Sequence, residues 1–217
     1  MPGFWESSQH KVLGVVLSTD NTTVAWAFGL RNLIFPGEFI ALAGMPYDHA
    51  RNVGAMKAIE LGASHIFYLD SDVIPPRDAV LRLLAHNQPI ISGMYCRRSP
   101  PAAVPVMLRN NQWITQFPQG KVIEVDLVGA GCLLIQTDVL AKLPPQRDGA
   151  HWFDWRVDCP HLATQGLPPL SEDFTFCHHA RQKGYKILVD TSIACRHVGY
   201  AESDYGTFQP LDSRSHT

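Results

Sequence analysis

The chain has no Lys/Arg tract, no Cys-X-X-Cys pair, no internal repeat and no long low-complexity linker. Without a basic tract, and with a formal charge of -2, a surface that wraps nucleic acid is not expected, which leaves room only for a local phosphate pocket. The five cysteines, Cys96, Cys132, Cys159, Cys177 and Cys195, are odd in number and scattered, which suits neither a zinc ribbon nor a disulfide framework. Reduced thiols and a cytoplasmic setting are the expectation. The first apolar run, Val12 to Leu17, is too short for a membrane span and follows Glu6 rather than a basic start, so neither a span nor a signal segment is expected. What remains, 217 residues with 46% hydrophobic and 18% charged content, suits a single globular domain with its own core.

Ile66 to Asp72, Ile-Phe-Tyr-Leu-Asp-Ser-Asp, is the most informative stretch. Four apolar side chains suit a strand covered on both faces, and in open α/β sheets ligands gather beyond the carboxyl ends of such strands. Asp70 and Asp72 cannot both stay ionised there without a metal, a donor or water, so the pair points to a hard divalent cation and an anionic ligand.

Around this stretch the pattern alternates. Val12 to Ser18 reads as a strand, Thr22 to Leu33 as a helix and Phe39 to Ala43 as a second strand. Asp48 is a candidate N-cap for a helix that carries Ala50, Val53, Met56, Ile59 and Ala63 at near-helical spacing. Pro75 and Pro76 open a helix through Val80, Leu81 and Leu84, and Pro89 to Gly93 is a short strand.

Beyond residue 100 the alternation stops. Val104 to Leu108, Trp113 to Phe117 and Val122 to Val128 read as strands, with turns at Asn110-Asn111 and Gln119-Gly120, so this half should be antiparallel or mixed. Gly129-Ala130-Gly131 permits close approach to backbone, and Thr137 or Asp138 caps a short helix. Residues 144–169 form an aromatic, proline-rich loop. Ser171 caps a helix that ends before Gly184, Tyr185 to Asp190 and Ser192 to Cys195 are the last strands, and a polar tail, 201–217, is expected to fray.

Five segments occur in one order: Ala50-Arg51-Asn52-Val53-Gly54, Phe67-Tyr68-Leu69-Asp70-Ser71-Asp72, Gly129-Ala130-Gly131-Cys132, Ser171-Glu172-Asp173 and His197-Val198-Gly199. That order, over most of residues 12–199, resembles GT-A-fold glycosyltransferases of the family-2-like group. The resemblance implies a Rossmann-like α/β fold, a mixed sheet flanked by helices in a single domain, with a nucleotide-binding half at 12–100 and an acceptor-binding half at 101–200. It also implies a nucleotide-diphosphate sugar as donor, a glycan or other hydroxyl compound as acceptor, hexosyl transfer as the reaction, and Mn2+ or Mg2+ bridging the donor diphosphate and the protein.

On this resemblance Asp72 is the main metal carboxylate, Asp70 reaches the metal through water or meets the donor ribose, and His197 completes the ligand set. Oxygen and imidazole ligands together suit manganese. Asp173, the second acid of the Glu-Asp pair, takes the acceptor proton if the reaction inverts the sugar, with Glu172 beside it; in a retaining enzyme the same acids orient the acceptor. Capping of a helix N-terminus alone would also account for two acids there. Thr19 and Asp20, at the end of the first strand, would meet the nucleobase and ribose. Arg51 would either brace Asp70 or meet the diphosphate, and Gly131 would line the donor sugar or form a β-bulge. Trp152, Phe153 and Trp155 offer faces on which an acceptor sugar could stack.

Two other functions fit parts of the sequence. Leu69-Asp70-Ser71-Asp72-Val73 also resembles the nucleophile motif of haloacid-dehalogenase-type phosphatases, but that motif sits on a first strand and here a βαβ segment precedes it. A non-catalytic nucleotide- or glycan-binding member of the GT-A fold would keep the same pocket without turnover.

Overall fold

The computed structural model describes residues 10–18, 21–97, 104–143, 152–155 and 171–198. Its frame is a seven-stranded mixed sheet built on β1 (Val12–Ser18), β2 (Gly37–Ala43) and β3 (His65–Asp70). Strand β1 lies parallel to both β2 and β3. The remaining members are β5 (Ile90–Met94), β8 (Val122–Val125), β10 (Cys132–Gln136) and β11 (Ile187–Ala194), in the order β2-β1-β3-β10-β5-β11-β8. Strand β10 runs antiparallel to β3 and β5, and β8 antiparallel to β11, so the later half is mixed as its pattern indicated.

Alternate residues of the central strands feed two cores. Leu13, Val15, Leu17, Ile66 and Tyr68 pack with α2 (Tyr47–Glu60), α4 (Thr137–Lys142) and α5 (Glu172–Gln182). Val12, Val16, Phe67 and Leu69 pack with α1 (Val24–Asn32) and α3 (Ala79–Ala85). Helix α1 starts where the Thr23 side chain accepts from the Trp26 amide at 3.1 Å, and α5 is followed by Gly184 at φ +85°, which only glycine adopts cheaply.

Helix α2 departs from its expected form. Pro46, not Asp48, occupies the N-cap position and Asp48 falls in the first turn. The buried face is Ala50, Arg51, Asn52, Gly54, Ala55 and Ala58, while Met56 and Ile59 are 50% and 39% exposed. Small residues face the sheet because the helix sits close to it: a Cβ on Gly54 would stand 2.9 Å from Val15 Cγ2.

Other boundaries shift for local reasons. Val73–Ile74 forms a short strand, β4, so α3 starts at Ala79 rather than at the prolines. Met107–Arg109 (β6) and Gln112–Trp113 (β7) form a hairpin whose turn, Asn110-Asn111, has φ of 51° and 63° at its two central residues. Asp126 separates β8 from β9 (Leu127–Val128), because its carboxylate takes the Asn110 amide at 2.6 Å and Arg181 at 2.7 Å. Gln136, not Thr137 or Asp138, stands at the N-cap of α4. The two expected last strands are the single β11, which runs through its polar stretch because Thr191 donates to the Pro118 carbonyl at 2.8 Å and the Ser192 amide donates to Asp190 at 2.8 Å. Strand β12 (Arg196–His197) follows and pairs with β4. Among the described residues no helix is long and apolar enough to cross a membrane.

Candidate active site

Asp70 closes β3 between a parallel neighbour, β1, and an antiparallel one, β10, with its amide donating to the Gly131 carbonyl at 3.2 Å. The chain then turns through Ser71-Asp72. The Ser71 amide donates to the Leu17 carbonyl at 3.0 Å, and the Trp26 indole N–H donates to the Asp70 carbonyl at 3.0 Å. Pairing of β4 with β12 brings the C-terminal part of the described chain to this turn, where the Val198 amide donates to the Asp72 carbonyl at 2.8 Å.

His197 is thereby placed with Nε2 3.3 Å from Asp72 Oδ2 and Nδ1 2.7 Å from the Cys96 carbonyl oxygen. A carbonyl only accepts, so Nδ1 donates that bond and Nε2 faces the carboxylate. An imidazole nitrogen and a carboxylate oxygen at this separation are ligands a divalent cation can take together, and the outer Nδ1–H bond is the kind that orients metal-ligating imidazoles. The donor set therefore fits such an ion. Among the described residues no group of three or more His, Cys, Asp or Glu side chains is gathered to hold one unaided. A small hard cation bound by one or two side chains takes its remaining ligands from water and substrate phosphates.

Asp70 has a partner of its own. Its Oδ1 accepts from Arg51 Nη2 at 3.0 Å, and Arg51, only 2% exposed, also donates from Nε to Glu172 Oε1 at 3.2 Å and from Nη1 to the Ala130 carbonyl at 3.4 Å. Of the two expected uses of Arg51, bracing Asp70 is the one this geometry matches. Burial disfavours the guanidinium charge, yet Asp70, Glu172 and Asp173 outweigh it and hold Arg51 above its usual range. One cation does not serve them all. Burial, reinforced by Asp72 and Asp173 and opposed by Arg51, raises Asp70, while burial and the Asp173 charge push Glu172 up to about 7.

Asp173 lies in the first turn of α5. Its Oδ2 accepts from the Ala130 amide at 3.2 Å, and its Oδ1 accepts from the Phe174 amide at 2.8 Å and from the Ser171 hydroxyl. The Gly129-Ala130-Gly131 turn thus ties the acid of α5 to β10. A Cβ on Gly131 would stand 2.9 Å from Tyr95 Cζ, 3.0 Å from Val73 Cγ2 and 3.1 Å from Asp70 Oδ2, and one on Gly129 would overlap the Tyr95 hydroxyl. Tyr95 was not singled out by sequence. Its hydroxyl accepts from the Gly131 amide at 3.1 Å and its ring meets His197 edge-on at 5.5 Å, so it joins the glycine turn to the imidazole. The paired small residues at 129 and 131 were the available sign that something large packs there.

A cavity of about 360 Å³ lies at the carboxyl ends of β1 and β2, lined by Leu17, Ser18, Leu42, Gly44, Met45, Pro46, Tyr47 and Ala50. Thr19 and Asp20, expected to meet the nucleobase and ribose, lie outside the described residues. Of the aromatic loop, Trp152 donates its indole N–H to the Leu140 carbonyl at 2.8 Å and packs against the core, and Trp155 is 47% exposed. Phe153 is wholly buried between Tyr68 and Phe176 and offers no face to a ligand. Cys96, Cys132, Cys177 and Cys195 are free, buried thiols, and Cys159 lies outside the described residues.

No protein-family model and no curated protein matches this sequence. Solved structures do match its fold. A197 from STIV superposes with a TM-score of 0.62 at 16% identity, over 87% of this chain and 86% of that one. A mannose-1-phosphate geranyltransferase from Thermus thermophilus superposes with a TM-score of 0.52 at 11% identity, over 85% and 75% of the respective chains. GalNAc-T7, solved with UDP, GalNAc and Mn2+, gives 0.51 at 11% identity, over 92% of this chain and 45% of that one. At these identities the likeness is one of fold: a mixed α/β domain similar to those of nucleotide-sugar transferases.

Proposed function

We propose that the protein is a metal-dependent glycosyltransferase that moves a sugar, a hexose by resemblance, from a nucleotide-diphosphate sugar to an acceptor hydroxyl. The observation that carries this reading is the β4–β12 pairing, which sets His197 Nε2 3.3 Å from Asp72 Oδ2 one turn beyond Asp70. The GalNAc-T7 structure, with UDP, GalNAc and Mn2+, supports it at the level of fold. Asp72 and His197 would hold Mn2+ or Mg2+, with Asp70 reaching it through water or meeting the ribose. An ion held there supplies Lewis-acid neutralisation of the departing diphosphate, worth on the order of several kcal/mol.

The chain's own groups do the rest. The cavity at the ends of β1 and β2, lined by no charged side chain among the described residues, receives the nucleoside. Arg51 holds Asp70 and Glu172 in fixed orientation from below. Asp173, anchored by the Ala130 and Phe174 amides, accepts the proton as the acceptor oxygen bonds to the anomeric carbon and the bond from that carbon to the diphosphate oxygen breaks. General-base action of this kind contributes roughly 10²–10⁴-fold in rate. In a retaining reaction Asp173 orients the acceptor instead, and product stereochemistry separates the two. A phosphatase reading gains nothing from the structure, since β3 is the third strand in chain order and Asp70 Oδ1 faces Arg51.

The test is release of a nucleoside diphosphate from a panel of nucleotide sugars, with and without manganese. Asp72→Ala and His197→Ala should abolish metal-dependent release while the circular dichroism spectrum stays that of the parent, and Asp173→Asn should lower kcat by roughly a hundredfold or more. A folded chain that releases no nucleoside diphosphate from any donor with manganese present sinks the proposal.

A further inference from the structure

A helix on the surface of a globular domain ordinarily turns polar side chains outward. Helix α1 does not. From Val24 to Leu30 its one polar side-chain atom is the indole nitrogen of Trp26, which is buried. Trp26 and Leu33 face the sheet with Leu30 packed beside them, while the opposite face carries Val24, 75% exposed, and Phe28, 56% exposed, one turn apart. Arg31 stands one turn further along that same face and is exposed. Ile34, 39% exposed, follows the helix end, and its amide donates to the Arg77 carbonyl at 2.8 Å, which brings Arg77 alongside. Single exposed apolar residues need no account, but a row of them on one face marks a contact surface.

Charge narrows what that surface meets. Among the described residues neither Arg31 nor Arg77 has an ion pair. Asp78, next to Arg77 in the chain, is engaged by Arg82 at 3.6 Å. Glu38 of β2 lies on the other side of the sheet, because it alternates with Phe39, which packs in the core beneath α1. The patch is therefore apolar and cationic. A two-fold pairing of copies would set it against itself and bring arginines toward arginines, whereas an anionic surface satisfies both of its characters.

We infer that the outward face of α1, Val24, Phe28 and Ile34 with Arg31 and Arg77, is a docking surface for an anionic lipid bilayer. The apolar side chains enter the headgroup boundary and the guanidinium groups meet lipid phosphates. The start of α1 is tied to the candidate site, since the Thr22 hydroxyl donates to the Ser71 carbonyl at 2.9 Å and the Trp26 indole to the Asp70 carbonyl at 3.0 Å. A bilayer met by this helix thus lies beside the turn through Ser71-Asp72. The docking goes beyond the transferase reading and needs neither donor nor metal.

Co-sedimentation of the full chain with vesicles of phosphatidylglycerol and phosphatidylcholine in equal parts, against vesicles of phosphatidylcholine alone, tests it. The anionic vesicles should bind the chain roughly tenfold or more tightly than the neutral ones, and raising the salt toward about 1 M, where the Debye length is roughly 3 Å, should weaken that binding. Arg31→Gln with Arg77→Gln should lower the affinity by roughly tenfold or more, and so should Val24→Ser with Phe28→Ser, each pair keeping the parent's circular dichroism spectrum. Met56→Ser with Ile59→Ser, exposed apolar positions of α2 across the sheet, should leave binding unchanged and so separates docking by this face from general adhesion. Equal binding to neutral and anionic vesicles overturns the inference, as does parent-like binding by either α1 pair. A chain that leaves the vesicles bare, yet sediments as a dimer that Val24→Ser with Phe28→Ser dissociates, also overturns it and assigns the face to a second copy. If no nucleotide sugar is turned over, the transferase reading fails separately while the vesicle measurement still decides the docking.

Discussion

At the scale of single residues, Arg51 shows how the site is held together. It is 2% exposed, forked between Asp70 and Glu172, and its own carbonyl oxygen accepts from the Tyr68 hydroxyl at 2.7 Å. Removing one partner of a buried ion network leaves the others uncompensated, a loss of about 3–5 kcal/mol. Arg51→Ala should therefore lower the unfolding free energy measured in urea by that order, and an unchanged midpoint would show that Asp70 and Glu172 find other partners. Sequence left two uses open for this residue because burial cannot be read from a lone Arg in a helix. Gly131 was equally ambiguous, between lining a sugar and forming a bulge. What demands a glycine there is Tyr95 and the Asp70 carboxylate, partners 36 and 61 positions away whose approach no local pattern records.

At the scale of elements, the apolar spacing Ala50, Val53, Met56, Ile59 and Ala63 located α2 but misjudged its face. Hydrophobic size marks the core-facing side only where there is room for size, and here Ala50, Gly54, Ala55 and Ala58 let the helix sit against Val15. Met56→Glu and Ile59→Lys should each change stability by no more than about 0.5 kcal/mol, as exposed sites do, whereas Gly54→Val should cost about 1–3 kcal/mol by overpacking. Denaturation of the three variants side by side checks this, and the reverse ranking would return the core to the larger residues. Strands β1 and β3 were legible because long apolar runs end in polar residues. Strands β4 and β12, which assemble the candidate metal pair, were not, since two residues show no period, and only the order of motifs suggested that His197 meets Asp72.

At the scale of the whole molecule, two buried groups bend the pH dependence of stability in opposite directions. His65, mainly through burial and then through nearby His10, is lowered to about 4 from its usual 6.5. The unfolded chain takes up that proton below pH 6.5 and the folded chain resists until about 4, so stability falls as the pH drops across this window. Glu172, raised from 4.5 to about 7, keeps its proton in the folded state after the unfolded chain has released it, so stability falls as the pH rises from 4.5 to 7. Between roughly 4.5 and 6.5 the two slopes, each at most about 1.4 kcal/mol per pH unit, oppose one another, and Asp70, also raised by burial, adds to the Glu172 side. Below that range Asp190 adds a loss. Burial favours its protonation, but bonds from Ser192 and His86 win and hold it below the usual carboxylate value, so stability is lost as acid finally protonates it. Single substitutions should unmask the hidden slopes. In urea titrations without divalent metal, Glu172→Gln should gain stability as the pH rises from 4.5 to 6.5, and His65→Asn should lose it over the same interval. Parallel profiles for the parent and both variants would show that neither group is perturbed by folding.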